Sequence, residues 1–431
     1  MTDKKIVARK LQGFWELPPE KQVIFEAMLD KIKEVFQKHC FLPLDTPAME
    51  LAEVLLAKSG GDIDKEIYRF TKGSTDACLR YDLTVPLARY VAMNENTLSF
   101  PFKRYQIGKV YRGERPQKGR LREFYQCDAD IIGDGELSLV NDAECVKLYK
   151  DIFQNLNLPV QTEISNRKVL FGLVSGLGAG EQFSNIAICL DKLDKIGEEN
   201  VKESLQQLNL NESQIAKLIS LVKLNGNSSV LQQAEKLSSN QTFLQGLNEL
   251  KQIDEYLQAF GLSESDYKFN FSVIRGHNYY TGTVFEAYLA GNRGAGAVGG
   301  GGRYDDLAGY FTQRKLPGVG MSIGMSRLFD IIQQSADEKI EFCKCAVIPM
   351  GETINQCLHL VSLLQQKGIS AEVYGENKSF KSKLKEANKR VVPFVAIIGE
   401  NEVKEGKITL KDMASSSQQS VTKEELINLL R

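Results

Sequence analysis

The residues best suited to chemistry lie in segment 102–133, where two β-like runs flank a strongly charged loop at 113–122. Arginine suits phosphate because its planar guanidinium donates two parallel hydrogen bonds. A hairpin with such a loop gathers phosphate-binding groups near one point, although a solvated hairpin with a charged tip explains this segment alone equally well. The charged side chains of the loop are Glu114, Arg115, Lys118, Arg120 and Arg122.

The returning run, 123–133, adds a second kind of chemistry. Successive side chains of a β-strand point to opposite faces, so every second residue shares a face. One face of this run therefore carries an aromatic ring, an amide and two carboxylates, from Phe124, Gln126, Asp128 and Asp130. Such a face is a poor core and a good surface for a ligand.

A second polar pair lies in residues 79–90, which begin within the β-like run ACLRYDLTV. Asp82 and Thr84 would share one face of it, where a carboxylate and a hydroxyl could hold an ammonium group. Taken alone, a solvated strand edge is the simpler explanation.

A third segment, 273–287, places Arg275 beside a glycine and then two tyrosines, Tyr279 and Tyr280. Strict alternation puts Arg275 and Tyr280 on opposite faces. Both reach one site only if the intervening chain bulges, which Gly276 permits.

Residues 294–307 are dense in glycine, but they lack the G-x-G-x-x-G phosphate fingerprint that opens a helix in a βαβ unit. We therefore reject a dinucleotide-binding fold; these glycines would let the backbone pack closely near a ligand. Residues 316–332 then read as a strand leading into a helix that begins near Ser326. Arg327 would stand in the first turn of that helix, where an exposed arginine is the ordinary alternative.

The elements that must position these residues follow from hydrophobic spacing. Apolar residues at helical intervals predict a helix over 19–39, β-rich segments fill 66–133, and a further helix covers about 138–155. A polar stretch with leucine and isoleucine every three or four residues predicts a helical insertion at about 175–262. We therefore expect a catalytic domain over 1–333, built on an antiparallel β-sheet flanked by helices.

Beyond a polar joint at 334–342 the pattern changes to alternating strands and helices. Alternation of this kind predicts a compact α/β domain over 343–431. The expected fold class is therefore an α+β catalytic domain with a helical insertion, followed by a C-terminal α/β domain.

Composition narrows the class of protein. The 431 residues carry 54 basic and 55 acidic side chains, so a nucleic acid would be held by local patches and not by a globally basic surface. No uncharged run approaches the ~18 residues of a membrane span, and the first residues lack a signal-peptide core. Without a membrane span or a signal peptide, we expect a cytoplasmic protein. The eight cysteines contain no C-x-x-C pair, so we also expect no dedicated metal site.

Taken together, five segments resemble the histidyl-tRNA synthetases, a family of class II aminoacyl-tRNA synthetases. FLPLDTPAME, YRGERPQKGRLREFYQ and GMSIGMSRL resemble the three class II motifs, while RGHNYYTGTVFE and GGRYDDL resemble stretches specific to the histidine enzymes. The resemblance runs over nearly the whole chain. It implies a ligase that activates L-histidine with ATP and Mg²⁺ and then loads tRNA(His), an anticodon-binding C-terminal domain, and a homodimer that meets at the first motif.

Carried over residue by residue, the resemblance implies how ATP is bound. Arg112 would hold the α-phosphate, Phe124 would stack on adenine, and Arg327 would lie on the other side, near the γ-phosphate. The implied ATP-binding set is Arg112, Glu114, Arg120, Phe124 and Arg327. Arg115 and Gln117 would approach the tRNA acceptor end.

The same resemblance implies a histidine pocket. Asp82, Thr84 and Gln126 would hold the amino group, and Asp130, Tyr280 and Tyr304 would surround the imidazole. Arg112 and Arg275 would be catalytic, beside the α-phosphate. The implied histidine-binding set is Asp82, Thr84, Arg112, Gln126, Asp130, Arg275, Tyr279, Tyr280 and Tyr304.

The chain departs from the family's more frequent pattern at a few positions. His277 and Asn278 stand where leucine and aspartate are commoner, which bears on the hydrogen bonds around Tyr280. Asp82 and Asp130 stand where many bacterial relatives have glutamate, and Ser326 replaces a common glutamate. The alternative that the sequence leaves is a non-catalytic, synthetase-like regulatory subunit of ATP phosphoribosyltransferase, which would typically lack the C-terminal domain and the catalytic arginines.

Overall fold

The computed structural model describes residues 6–57, 66–117, 119–274, 279–333 and 342–431. The chain divides into two compact units, Met1–Ser335 and Ala336–Arg431. None of the helices in the described ranges is long and apolar enough to cross a membrane.

The described strands of the first unit form two β-sheets, one large and one small. Within the described residues they are β1 Leu42–Pro43, β2 Met49–Leu51, β3 Arg69–Lys72, β4 Thr75–Leu79, β5 Phe102–Tyr111, β6 Glu123–Ile132, β7 Val160–Asn166, β8 Asn225–Gly226, β9 Tyr267–Asn270, β10 Thr283–Leu289, β11 Gly299–Tyr304 and β12 Gly318–Gly324.

Nine of these described strands form one sheet in the order β1-β5-β6-β12-β11-β10-β7-β9-β8, and β2, β4 and β3 form a small antiparallel sheet. In the large sheet β1 runs parallel to β5 and β7 parallel to β9. The other neighbours are antiparallel. The five strands from β5 to β10 in this order form an unbroken antiparallel platform at the centre of the unit.

The helices of the first unit flank this sheet or form a separate helical segment. Within the described residues they are α1 Pro19–Lys38, α2 Ala52–Leu56, α3 Thr84–Asn94, α4 Val140–Asn155, α5 Arg167–Gly176, α6 Phe183–Leu190, α7 Leu193–Ile196, α8 Glu198–Gln207, α9 Glu212–Val222, α10 Ser229–Glu235, α11 Gln241–Ala259 and α12 Met325–Gln333.

One face of the large sheet is covered by helices. Helix α1 begins at Pro19, where proline is tolerated because the first turn needs no donor from it, and it packs against α4. Alternate residues of β6, namely Cys127, Ala129 and Ile131, are fully buried in the same core as these helices. The intervening residues of β6 therefore point to the opposite face of the sheet.

The second unit has a sheet of its own, in the order β14-β13-β15-β16-β17. Its elements are β13 Cys345–Pro349, α13 Ile354–Gln366, β14 Ala371–Val373, α14 Phe380–Lys389, β15 Phe394–Ile398, α15 Glu400–Glu405, β16 Ile408–Asp412, β17 Gln418–Val421 and α16 Lys423–Leu430. Helix α15 and strand β17 were not expected, because the helix has only six residues and none of them is buried, and the strand is polar and mostly exposed. The predicted fold class is confirmed in both units.

A half-buried ionic cluster holds the end of α1 in place. His39 Nε2 lies 2.9 Å from Asp151 Oδ2 and Nδ1 lies 3.6 Å from Glu144 Oε1, both on α4. Lys103 on β5 lies 2.6 Å from the same Glu144 oxygen. The hydrogen bond to Asp151 and then that to Glu144 raise the pKa of His39 to about 9, so the charged imidazolium joins α1, α4 and β5 near neutral pH.

We predict that His39→Gln lowers the melting temperature by a few degrees near neutral pH, and less in base. Because the pKa of His39 is about 6.5 when unfolded and about 9 when folded, its stabilisation is complete below about pH 6.5 and is lost as the pH rises through about 9. The contribution is at most about 3 kcal/mol. Melting both proteins near pH 6 and near pH 9.5 checks this, and an equal difference at both values would contradict it.

Candidate active site

A cavity of about 750 Å³ lies in the first unit, on the face of β6 that the helices leave open. It is lined from β6, β10, β11 and β12, from the first turns of α3 and α12, and from the charged loop before β6. The site residues expected from the sequence that line it are Asp82, Thr84, Arg112, Glu114, Gln117, Arg120, Phe124, Gln126, Asp130, Tyr279, Tyr280, Tyr304 and Arg327.

Strand β6 runs along the cavity and gives it two ends. Phe124, Gln126, Asp128 and Asp130 all line it, as the alternation predicted. At roughly 3.3 Å per residue, Phe124 and Asp130 stand about 20 Å apart along the strand. The end beside Phe124 is rich in arginine, and the end beside Asp130 is rich in buried carboxylates.

Glycines on the neighbouring strands form the floor of the carboxylate end. A Cβ atom at Gly320 on β12 would lie 2.0 Å from Asp130 Oδ1, and one at Gly318 would lie 2.3 Å from Tyr304 Cε2. A Cβ at Gly302 on β11 would lie 2.8 Å from Tyr280 Cδ1. Bare backbone at these positions is therefore what leaves room for the Asp130 and tyrosine side chains.

Asp130 is held by partners from two strands. The Tyr304 hydroxyl donates to Asp130 Oδ1 at 2.5 Å, and Arg104 Nη2 lies 2.8 Å from Asp130 Oδ2. Arg104 stands opposite Asp130 in the β5–β6 register and also donates to the Leu83 carbonyl oxygen at 2.9 Å. Burial raises the pKa of Tyr304 well above its usual range, so its hydroxyl stays a donor.

Asp82 and Thr84 reach the cavity from a helix start and not from a strand. The expectation that they share a strand face was wrong, because α3 begins at Thr84. The Val85 N–H donates to Asp82 Oδ1 at 3.1 Å, and Pro86 falls in the first turn, where a helix tolerates proline. Both side chains nevertheless line the cavity.

The carboxylates at this end disfavour one another's charge. Burial, opposed in part by the Val85 N–H and Arg112, raises the pKa of Asp82 to about 6. Burial and then the charge of Asp130 raise the pKa of Asp128 to about 7, and burial also raises that of Asp130. Such a pocket attracts a cation or a hydrogen-bond donor.

The opposite end carries guanidinium groups. Arg112 Nε donates to the Tyr81 carbonyl oxygen at 3.1 Å, and its guanidinium lies 5.1 Å from the centre of the Phe124 ring. Arg327 Nη2 donates to the Ala295 carbonyl oxygen at 2.6 Å. Burial and then the charge of Arg120 lower the pKa of Arg327. Because the guanidinium groups of Arg120 and Arg327 repel each other, a bound polyphosphate would stabilise both by neutralising their charges.

One described residue that was expected at the site does not line the cavity, and others lie outside the described residues. Arg115 is not among the residues that line it. Arg275, His277 and Asn278 lie outside the described residues, and so does Lys118.

Other residues belong to the site but were not assigned a role from the sequence. Asp128 was placed on the correct face of β6 without one. Ser322 and Glu286 line the cavity, and Arg104 is the buried partner of Asp130. The β5–β6 hairpin was predicted, so its register would have been the signal that pairs Arg104 with Asp130.

Comparison with known families identifies the class of protein. A family model described as "Histidyl-tRNA synthetase" matches residues 13–328, which is more than half of the chain, and one described as "Anticodon binding domain" matches residues 344–431. The chain belongs to the histidyl-tRNA synthetase family.

Individual relatives agree with this histidyl-tRNA synthetase membership. A curated protein named "Histidine--tRNA ligase" from Clostridium tetani is 43% identical over 430 residues, covering 98% of this chain and 97% of its own. The crystal structure of histidyl-tRNA synthetase from Nostoc sp. PCC 7120 superposes with a TM-score of 0.88 at 33% identity, covering 99% of each chain. A structure described as an ATP phosphoribosyltransferase regulatory subunit/histidyl-tRNA synthetase from Bacillus halodurans shares the fold, with a TM-score of 0.79 at 21% identity over 92% of this chain and 99% of its own.

We predict that Gly320→Ala raises the KM of this synthetase for histidine by at least about tenfold and leaves the KM for ATP within about twofold. The new Cβ would lie 2.0 Å from Asp130 Oδ1, so the carboxylate must move, whereas the arginine end lies far along β6. ATP–pyrophosphate exchange measures both constants. Gly309→Ala is the matched control, because a Cβ there meets nothing within 4 Å. An unchanged histidine KM in Gly320→Ala would contradict the role of the glycine floor.

Proposed function

We propose that this chain is a histidine–tRNA ligase. It would join L-histidine to ATP, forming histidyl-adenylate and pyrophosphate, and then transfer histidine to the 3′ end of tRNA(His). The observation that carries the proposal is the polarity of one cavity: guanidinium groups at the Phe124 end suit a nucleotide triphosphate, and buried carboxylates at the Asp130 end suit a cationic ligand with ring N–H groups. Family membership supports both assignments.

The nucleotide would occupy the arginine end. Phe124 offers its ring to adenine, and Arg112, whose guanidinium lies 5.1 Å from that ring, is also close enough to Asp82 to oppose the rise in the pKa of that carboxyl. We assign Arg112 to the α-phosphate and Arg327 to the γ-phosphate, with Glu114 and Arg120 beside them. Glu114 Oε2 lies 3.1 Å from Arg120 Nη1, which holds that guanidinium at the mouth of the site.

Histidine would occupy the carboxylate end. We assign Asp82, Thr84 and Gln126 to the amino group, and Asp130, Tyr280 and Tyr304 to the imidazole, with Tyr279 packed beside them. Tyr279 meets Tyr304 edge to face with ring centres 6.0 Å apart. The ring is mostly neutral near pH 7, so one nitrogen donates and the other accepts. Asp130 would accept from the donor, and a tyrosine hydroxyl would serve the other nitrogen.

The first chemical step joins two anions, so positioning and charge neutralisation dominate it. A histidine carboxylate oxygen forms a bond to the α-phosphorus, the bond from that phosphorus to the β-phosphate oxygen breaks, and pyrophosphate leaves. No general base is needed because the carboxylate is already ionised. Arg112, together with Arg275 as the family resemblance implies, would supply positive charge where the phosphorus becomes five-coordinate.

Mg²⁺ belongs to this proposal as a companion of ATP. The described residues contain no group of three or more histidine, cysteine, aspartate or glutamate side chains that could hold a metal ion. We assign Mg²⁺ to the triphosphate, where the ion would supply neutralisation of the phosphate charge.

The tRNA and a second subunit are the remaining partners in this proposal. We assign the acceptor end to Arg115 and Gln117, in the loop before β6, and the anticodon to the unit matched over 344–431. We also propose a homodimer that forms at the first motif, where Leu42, Met49 and Leu51 expose apolar side chains. A regulatory subunit without catalysis is less well supported, because the cavity keeps Arg112 and Arg327 and the chain has the anticodon-binding match.

We predict histidine-dependent ATP–pyrophosphate exchange and no comparable exchange with the other amino acids. A site built to hydrogen-bond its substrate rejects analogues lacking those groups by roughly 10⁴-fold. Asp130→Ala should raise the histidine KM by about a hundredfold or more with the ATP KM little changed, whereas Asp134→Ala, a surface control paired with Arg314, should behave as wild type. Absence of exchange with histidine would contradict the proposed function and favour a binding protein.

A further inference from the structure

Asp128 is a buried carboxylate in the cavity to which the proposed binding set gives no role. It stands between Gln126 and Asp130 on the open face of β6, lines the cavity, and is only 2% exposed. Its Oδ1 atom has no hydrogen-bond partner among the described residues, and the same holds for Asp82 Oδ2. Buried carboxylate oxygens are normally hydrogen-bonded, so two unpartnered ones in a cavity indicate a missing donor.

The groups that face Asp128 from the surrounding elements leave its charge largely uncompensated. Asp130 on its own strand and Asp82 at the start of α3 are like charges. Arg104 on β5 is a cation but is already paired with Asp130, and Arg80 acts only through its charge. Burial and Asp130 therefore outweigh the attraction of Arg104, and they raise the pKa of Asp128 to about 7.

The hydrogen bonds of two neutral neighbours, Gln106 and Ser322, indicate which group of the ligand Asp128 would bind. Gln106, opposite Asp128 on β5, donates its amide hydrogens away from it, to Asp45 at 3.0 Å and Thr46 at 3.1 Å. Ser322, opposite Asp128 on β12, accepts a hydrogen bond from Gln126 Nε2 at 2.7 Å, and its side chain is also hydrogen-bonded to the Asp128 carboxyl. Ser322 thus couples Asp128 to Gln126, which is assigned to the amino group.

We propose that Asp128, together with Asp82, binds the α-ammonium group of histidine, so that the site demands an amine-bearing ligand. This inference rests on the proposed function. Asp130 is the less suitable carboxylate for the amine, because Tyr304 donates to its Oδ1 and its charge is already compensated by an ion pair between Oδ2 and Arg104, although Oδ2 accepts no hydrogen bond among the described residues. An ammonium donates three hydrogen bonds, enough for Asp82 Oδ2, Asp128 Oδ1 and one further acceptor.

The assignment has a consequence for protons. With its pKa raised to about 7, Asp128 holds a proton in part of the molecules near pH 7. A bound ammonium favours the charged carboxylate, so histidine binding would expel that proton. Binding at this pH should therefore release more protons from wild type than from a variant without the carboxylate.

The test compares L-histidine with imidazolepropionate, which lacks only the amine, in the full chain and in Asp128→Asn. Isothermal titration calorimetry measures both affinities, and buffers of different ionisation enthalpy give the proton count. Wild type should prefer histidine strongly. In Asp128→Asn that preference should fall at least about tenfold and the extra proton release should disappear, while Asp134→Asn, the surface control, matches wild type.

Stability separates a binding role from a structural one. Removing a buried, poorly paired charge should leave the melting temperature of Asp128→Asn equal to or above that of wild type. A structural carboxylate would instead give a lower melting temperature and equal losses for both ligands.

The outcomes separate this inference from the function on which it rests. An unchanged preference for histidine over imidazolepropionate in Asp128→Asn overturns the inference, while histidine-dependent exchange in wild type leaves the proposed function standing. Wild type that binds no histidine and shows no exchange overturns both.

Discussion

Three carboxylates, those of Asp82, Asp128 and Asp130, lie inside the first unit, where leaving water disfavours their charged forms. Of these three carboxylates, only Asp130 forms an ion pair with a guanidinium group of the described residues, that of Arg104. The remaining charge is tolerated because the cavity is shaped to receive a cationic ligand. A stable empty fold would be better served by apolar side chains at these positions.

The rest of the unit can be understood as the scaffold for that arrangement. The antiparallel platform places β5, β6, β12 and β11 side by side, so that Arg104, Asp130, Gly320 and Gly302 lie in one row across the sheet. Glycine in two of those places removes the side chains that would fill the pocket. The helices on the other face bury Cys127, Ala129 and Ile131, which keeps β6 rigid beneath its polar face.

Much of this was predictable where the signal is local. The period-two pattern of residues 123–132 placed Phe124, Gln126, Asp128 and Asp130 on one face, and the alternation after 343 predicted most of the second unit. The start of α3 was not predictable in this way, because it depends on Asp82 accepting from the Val85 N–H and on Arg104 of the distant strand β5 donating to the Leu83 carbonyl oxygen. The glycine floor depends on the pairing of β6 with β12, which are far apart in the chain, so no local pattern reports it.

The most direct test of the account is a crystal structure of the chain with a stable analogue of histidyl-adenylate. We expect adenine on Phe124, the phosphate beside Arg112, the imidazole against Asp130 and Tyr304, and the amine within hydrogen-bond distance of Asp82 and Asp128. An analogue bound in the reverse direction, with its ring at the arginine end, or bound outside this cavity, would contradict it.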